Sequence, residues 1–203
     1  MPRLQLPAEA RRKLLLEIYG QAEKLHWEFL SNPQRTAQYR RWFEDPKVGG
    51  VLLGFVAEKD TRVWIKDVAM KEYGRAKEGI GQYVPYVTRR FRGPGEIARA
   101  AWGEGWNVQP DSVDVKPNQC LASDGAVTRH VCWGRPAVLR DLVWAAVNQA
   151  VDQDERPAIV VTTQDGETLS GADRDRQRAI AEHCGVDLAH LHRTMIENPD
   201  YIG

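Results

Sequence analysis

The chain has 203 residues, with 28 Lys/Arg against 28 Asp/Glu, 42% hydrophobic and 28% charged. This make-up is that of an ordinary globular protein rather than a fibrous or disordered one. The zero net charge is an average: residues 1–100 hold 19 Lys/Arg against 12 Asp/Glu (+7), and residues 101–203 hold 9 against 16 (−7). Three irregularly spaced cysteines argue against a disulfide framework, and the longest apolar run, Val51–Ala57, is far short of the roughly 20 residues needed to span a bilayer.

Met1-Pro2-Arg3 leads into a charged helix rather than an apolar leader, so a cytoplasmic protein with no membrane partner is expected. Pro7 suits a first helical turn, and Leu15, Ile18, Ala22, Leu25 and Phe29 form one apolar stripe at helical spacing. Ser31-Asn32-Pro33 breaks that helix and starts another, with Asn32 as cap, running to about Glu44. Residues 51–79 fit two patterns. One is a hairpin of Val51–Ala57 with Arg62–Lys66; the other is a helix from Ala57 to Ala76, favoured for the second part because Val63, Ile65, Met70 and Tyr73 do not alternate cleanly.

Arg92-Gly93-Pro94-Gly95 is the candidate boundary between a basic helical region, 1–92, and an α/β domain, 93–203, unless the whole forms one compact domain. A short helix, Glu96–Trp102, follows. Ser112–Lys116 and Val127–Trp133 are predicted strands, Pro136 opens a helix, and Ala158–Thr163 is a buried strand. Ala172–Cys184 is a helix stopped by Gly185, and a last helix is expected from Asp187 to Glu197. The fold class is therefore α+β: a helical N-terminal half, then a small mixed sheet flanked by helices.

Basic and aromatic residues interleave in three clusters: Tyr39-Arg40-Arg41-Trp42, then Arg62, Trp64 and Lys66, then Tyr83, Tyr86, Arg89, Arg90, Phe91 and Arg92. Guanidinium groups grip phosphates and aromatic faces accept stacked bases, so nucleic acid is the expected partner, DNA ahead of RNA. The alternative is that the rings are core and the charges their solvated edges. Cys and His spacing supports no structural zinc site, and no phosphate-binding glycine loop is present.

Asp114 and Lys116, two apart on a predicted strand, point to one side, where a carboxylate and an ammonium can serve metal-assisted hydrolysis. With the strand, helix and strand that follow, the segment from Asp114 to Thr163 resembles the core of the PD-(D/E)xK nucleases. The resemblance implies a Mg²⁺-dependent restriction-type nuclease, with Asp114 as metal ligand and Lys116 as charge stabiliser. It also implies a further acidic ligand upstream, for which Asp111, Glu96 and Glu104 are candidates, while Arg89, Arg90 and Arg92 would clamp phosphates.

A second segment, Ala181–Arg193, resembles the helix-turn-helix of lac-repressor-type regulators through Ala181, Gly185, Val186 and Leu191. That resemblance implies a non-enzymatic DNA-binding regulator with His190 and Arg193 facing the groove. A third class is a protein-interaction or inhibitor domain, with a homodimer as one outcome of the charge polarity.

Overall fold

A computed structural model describes residues 6–151 and 156–203. The chain divides into two units: one runs to Arg90 and takes back Glu197–Gly203, and the other is Phe91–Ile196. The first is helical and the second mixed α/β, so the protein is α+β. No helix of the described residues is long and apolar enough to cross a membrane.

In the first unit, α1 (Ala8–Lys24) buries Leu14, Leu15, Ile18, Tyr19 and Ala22, one face at three- and four-residue steps. The expected stripe does not reach Phe29. The helix ends at Lys24, His26 turns left-handed (φ 50°), and a short 3-10 turn, Trp27–Phe29, swings Trp27 inward. Trp27 stacks on Trp42 at 5.3 Å, and Phe29 is left 85% exposed. The next helix, α2 (Asn32–Glu44), is capped one residue earlier than expected, because the Ser31 backbone N–H donates to Gln34 Oε1 at 2.8 Å. On its inner side Trp42 is fully buried and donates from Nε1 to Gln21 Oε1 at 2.7 Å.

The ambiguous stretch contains no strand and is helical apart from a turn at 54–57 and its last two residues. A π-helical turn, Pro46–Gly50, leads into α3 (Val51–Leu53); α4 (Glu58–Val63) passes through a second π turn, Trp64–Ala69, into α5 (Met70–Lys77). Thr61, Trp64, Ile65, Ala69, Tyr73 and Ala76 are buried, a three-and-four spacing that a hairpin would scatter over two faces. In the first π turn Gly49 lies so close to the Phe43 carbonyl that a Cβ would overlap it. Lys77 is buried between Glu23 (3.3 Å) and Glu28 (3.5 Å), and Glu23 also accepts from the Thr88 hydroxyl at 2.7 Å. After the two-residue strand β1 (Arg89–Arg90) the chain leaves this unit.

The second unit begins with α6 (Pro94–Trp102), then β2 (Asn107–Val108), β3 (Asp114–Val115), β4 (Asn118–Ser123) and β5 (Thr128–Gly134). It continues with α7 (Leu139–Val151), β6 (Arg156–Thr163), α8 (Gly171–His183) and β7 (Asp187–His192); the short β8 (Ile196–Glu197) follows. The sheet order is β2-β4-β5-β6-β7, with β3 paired to β4. The β2, β3, β4 and β5 pairings are antiparallel, whereas β5-β6 and β6-β7 are parallel. Two successive parallel neighbours require crossovers, and α7 and α8 supply them. Both cover the face carrying Cys132 and Ile159, where Leu142, Ala146, Ala181 and Val186 complete a core. Between parallel neighbours, β6 is buried from Ala158 through Thr163, as an interior strand should be.

Two expectations change here. The strand predicted over Ser112–Lys116 is only Asp114–Val115, because Lys116 and Pro117 form the tight turn into β4. The last helix, predicted over Asp187–Glu197, is instead strand β7, in register from Ala158↔Asp187 to Thr163↔His192. Gly185 is left-handed (φ 68°), as anticipated, but the chain it redirects satisfies its backbone groups on the open edge of β6. The second helix of the helix-turn-helix resemblance is therefore absent from these residues.

Candidate functional site

Asp114 and Lys116 lie at the β3–β4 turn, and both are exposed. Asp114 Oδ1 accepts from the adjacent Val115 N–H at 2.6 Å, a local bond that orients the carboxylate along the strand end. The upstream acids are engaged elsewhere or solvated. Glu96 accepts from the Gly93 N–H at 2.7 Å, closing the start of α6, and Glu104 stands 4.0 Å from Arg99. Asp111 is exposed at a left-handed turn position, φ 60°. Among the described residues no three His, Cys, Asp or Glu side chains stand together as ligands. Mg²⁺ takes one or two protein carboxylates, keeps several waters and draws further oxygens from substrate phosphates, so Asp114 would be its protein ligand at this turn.

The basic–aromatic clusters sort by burial. Trp42, Trp64 and Tyr73 are buried, while Tyr39, Tyr83 and Tyr86 pack against the same core. Of the rings expected to stack on bases, Trp42 and Trp64 are therefore core, while Tyr39, Tyr83 and Tyr86 are half-buried. Arg40, Arg41, Arg62 and Lys66 stay exposed on α2, α4 and the second π turn. Arg40 meets Glu44 at 3.0 Å, and the Arg62 guanidinium of α4 lies 4.7 Å from the Phe43 ring of α2.

The expected clamp of three arginines is not one surface. Arg89 is exposed and meets Glu197 at 3.4 Å, but Arg90 is buried and donates to Asn198 Oδ1 at 3.3 Å. Arg92 is half-buried, and its carbonyl accepts from Arg193 at 2.8 Å. Arg193 itself is 2% exposed, with its guanidinium over Phe91. His190 is half-buried, with Nε2 2.8 Å from Gln177 Oε1 on α8. Arg90 and Arg193 therefore serve the interior, because in each case the local backbone places the guanidinium beside an acceptor or ring that water cannot reach.

One cluster escaped the sequence. At the carboxyl ends of β5, β6 and β7, Thr163 Oγ1 lies 3.3 Å from His192 Nδ1, and His192 Nε2 lies 3.1 Å from Asp165 Oδ1. Arg135 binds Glu167 through two guanidinium nitrogens and holds that carboxyl below its ordinary range; the Gln164 N–H adds to the effect. The turn at 165–166 is a local feature of the chain, whereas its convergence with His192 depends on the β6–β7 pairing, where a helix was expected.

No protein-family model matches the chain, and no curated protein or solved structure shows similarity to it.

Proposed function

We propose that this is a nucleic-acid-binding protein whose helical unit contacts backbone phosphates. The observation that carries this is the set of exposed cations on the helical elements: Arg41 on α2, Arg62 on α4 with its guanidinium 4.7 Å from the Phe43 ring, and Lys66 one turn further on. A guanidinium offers phosphate oxygens two parallel N–H donors, so exposed arginines suit such contacts. The +7 balance of the first hundred residues points the same way. Fluorescence anisotropy on a labelled duplex, titrated from about 50 to 200 mM salt, tests it. Each phosphate contact adds roughly −0.9 to the slope of log K against log salt. The triple change Arg41→Ala, Arg62→Ala, Lys66→Ala is expected to flatten the slope by about two to three. Absence of binding at low salt, or an unchanged slope, overturns the proposal.

Phosphodiester hydrolysis is the second reading. Its support is topological: after Asp114 come β4, β5, α7 and a parallel β6, the strand, helix and strand that the nuclease resemblance implies. Nicking of supercoiled plasmid with and without added Mg²⁺ tests it. Cleavage lost in Asp114→Asn and Lys116→Ala supports it, and no cleavage on plasmid or RNA removes it.

A further inference from the structure

We infer that Thr163 is a nucleophile toward neutral carboxylic esters, with His192 as its base and Asp165 holding the imidazole. All three belong to the unit Phe91–Ile196, so the inference stands apart from the nucleic-acid reading of the helical unit. Thr163 and His192 are register partners, each the last residue of its strand. Asp165 lies in the turn that follows β6. In open α/β sheets ligands bind outside the carboxyl ends of the strands, which is where these side chains meet.

The directions of the hydrogen bonds decide the roles. A carboxylate only accepts, so at 3.1 Å His192 Nε2 donates to Asp165 Oδ1. In the neutral ring Nδ1 then carries a lone pair, and the Thr163 hydroxyl, 3.3 Å away, donates to it. That order, hydroxyl to imidazole to carboxylate, is the one that activates an alcohol as a nucleophile. Thr163 is 8% exposed, whereas the side chains of His192 and Asp165 are 51% and 81% exposed. The hydroxyl is thus shielded from competing water, while its base stays open to a substrate.

Charge selects the substrate class. Glu167, a second acid at this end of the sheet, is neutralised by Arg135. Asp165 meets the uncharged imidazole, so the relay is negative and would repel a phosphate ester but not a neutral carboxylic one. In the reaction Oγ1 bonds to the carbonyl carbon as its proton passes to Nδ1. The bond from that carbon to the alcohol oxygen breaks, and the alcohol leaves with the proton. Water then attacks the acyl-threonine and gives a proton to Nδ1, which returns it to Oγ1 as the carboxylic acid departs.

The test is hydrolysis of p-nitrophenyl acetate by the full chain, with a fluorophosphonate as trap and peptide mass to locate the label. Both are run in a Cys184→Ser background, because the exposed Cys184 thiol also takes acyl groups. The expected result is saturable turnover faster than free imidazole gives, with the label on Thr163. Thr163→Ala and His192→Gln are expected to lower kcat at least about a hundredfold, and Thr163→Ser to retain turnover. Asp165 positions the ring, so Asp165→Asn should lower kcat at least about tenfold with KM unchanged, and Asp165→Glu should recover part of it. Its place in an exposed turn keeps the fold out of that comparison. No turnover above free imidazole, a label absent from Thr163, or full activity in Thr163→Ala or Asp165→Asn overturns the inference and leaves nucleic-acid binding untouched.

Discussion

Asp187 is the residue whose removal most directly tests the β7 strand. On one face of the sheet Arg129 of β5 and Arg156 of β6 are register partners, so two cations stand side by side on neighbouring strands. Such a pair repels unless an anion intervenes. Asp187, the first residue of β7, reaches both, at 2.8 Å from Arg129 and 2.6 Å from Arg156. The two contacts differ in weight. Arg156 is 63% exposed, so its share is that of a surface pair, about 0–1 kcal/mol. Arg129 is 18% exposed, and its guanidinium lies 5.2 Å from the Trp102 ring and 5.0 Å from Trp106. A charged hydrogen bond in that setting contributes about 1.5–3 kcal/mol, and stranding the cation adds desolvation. Asp187→Ala is therefore expected to destabilise by about 2–4 kcal/mol, a fall in Tm of about 5–15 °C for a chain of this size.

Urea titration followed by tryptophan emission is the assay, since Trp102 and Trp106 flank the affected guanidinium. Combining Asp187→Ala with Arg129→Met should recover part of the loss, because the stranded cation is gone and its aromatic cage accepts an apolar chain. Arg156→Ala alone should cost under about 1 kcal/mol. A cost below about 0.5 kcal/mol for Asp187→Ala, or equal costs for the two arginines, would refute the reasoning and with it the placement of Asp187 at the head of a parallel strand.

Two further outcomes follow from burial. Cys120 and Cys132 are buried, and desolvation pushes each thiol up to about 12, whereas Cys184 is exposed; a thiol-reactive chromophore should therefore label one cysteine rapidly in the native protein and all three only in denaturant. His130 and His190 are both held below the ordinary 6.5, His130 by burial and His190 by burial first and then by Arg174 and Arg178. The folded protein thus binds fewer protons at these sites than the unfolded chain, so stability should be full above about pH 6.5 and decline as pH falls below it. Melting temperature measured from pH 8 to 5 should show that decline, and His190→Gln should make it shallower; an identical slope in the variant would remove His190 as a cause.

Much of this protein is legible one segment at a time. Strand β4 and strand β7 are not, but the apolar stripe of α1 as far as Ala22, the Ser31-Asn32-Pro33 start of α2, the strands near 128–134 and 158–163, the helices that open at Pro136 and near Ala172 and the left-handed Gly185 all follow from local periodicity and backbone preference. So does the exposure of Arg40 and Arg41, which flank the inward Trp42 on α2. What local pattern leaves open is decided by partners distant in sequence. Val186–His192 has spacing compatible with either helix or strand, and the unpaired edge of β6 settles it as β7 by offering a complete ladder of hydrogen bonds. That one pairing brings His192 beside Asp165, sets Asp187 against two arginines and draws His190 toward α8. Likewise, Trp42 and Trp64, which interleave with arginines in sequence, are drawn into a shared core while Arg40, Arg41 and Arg62 stay exposed. Charge and period belong to the chain; which cations remain at the surface belongs to the packing.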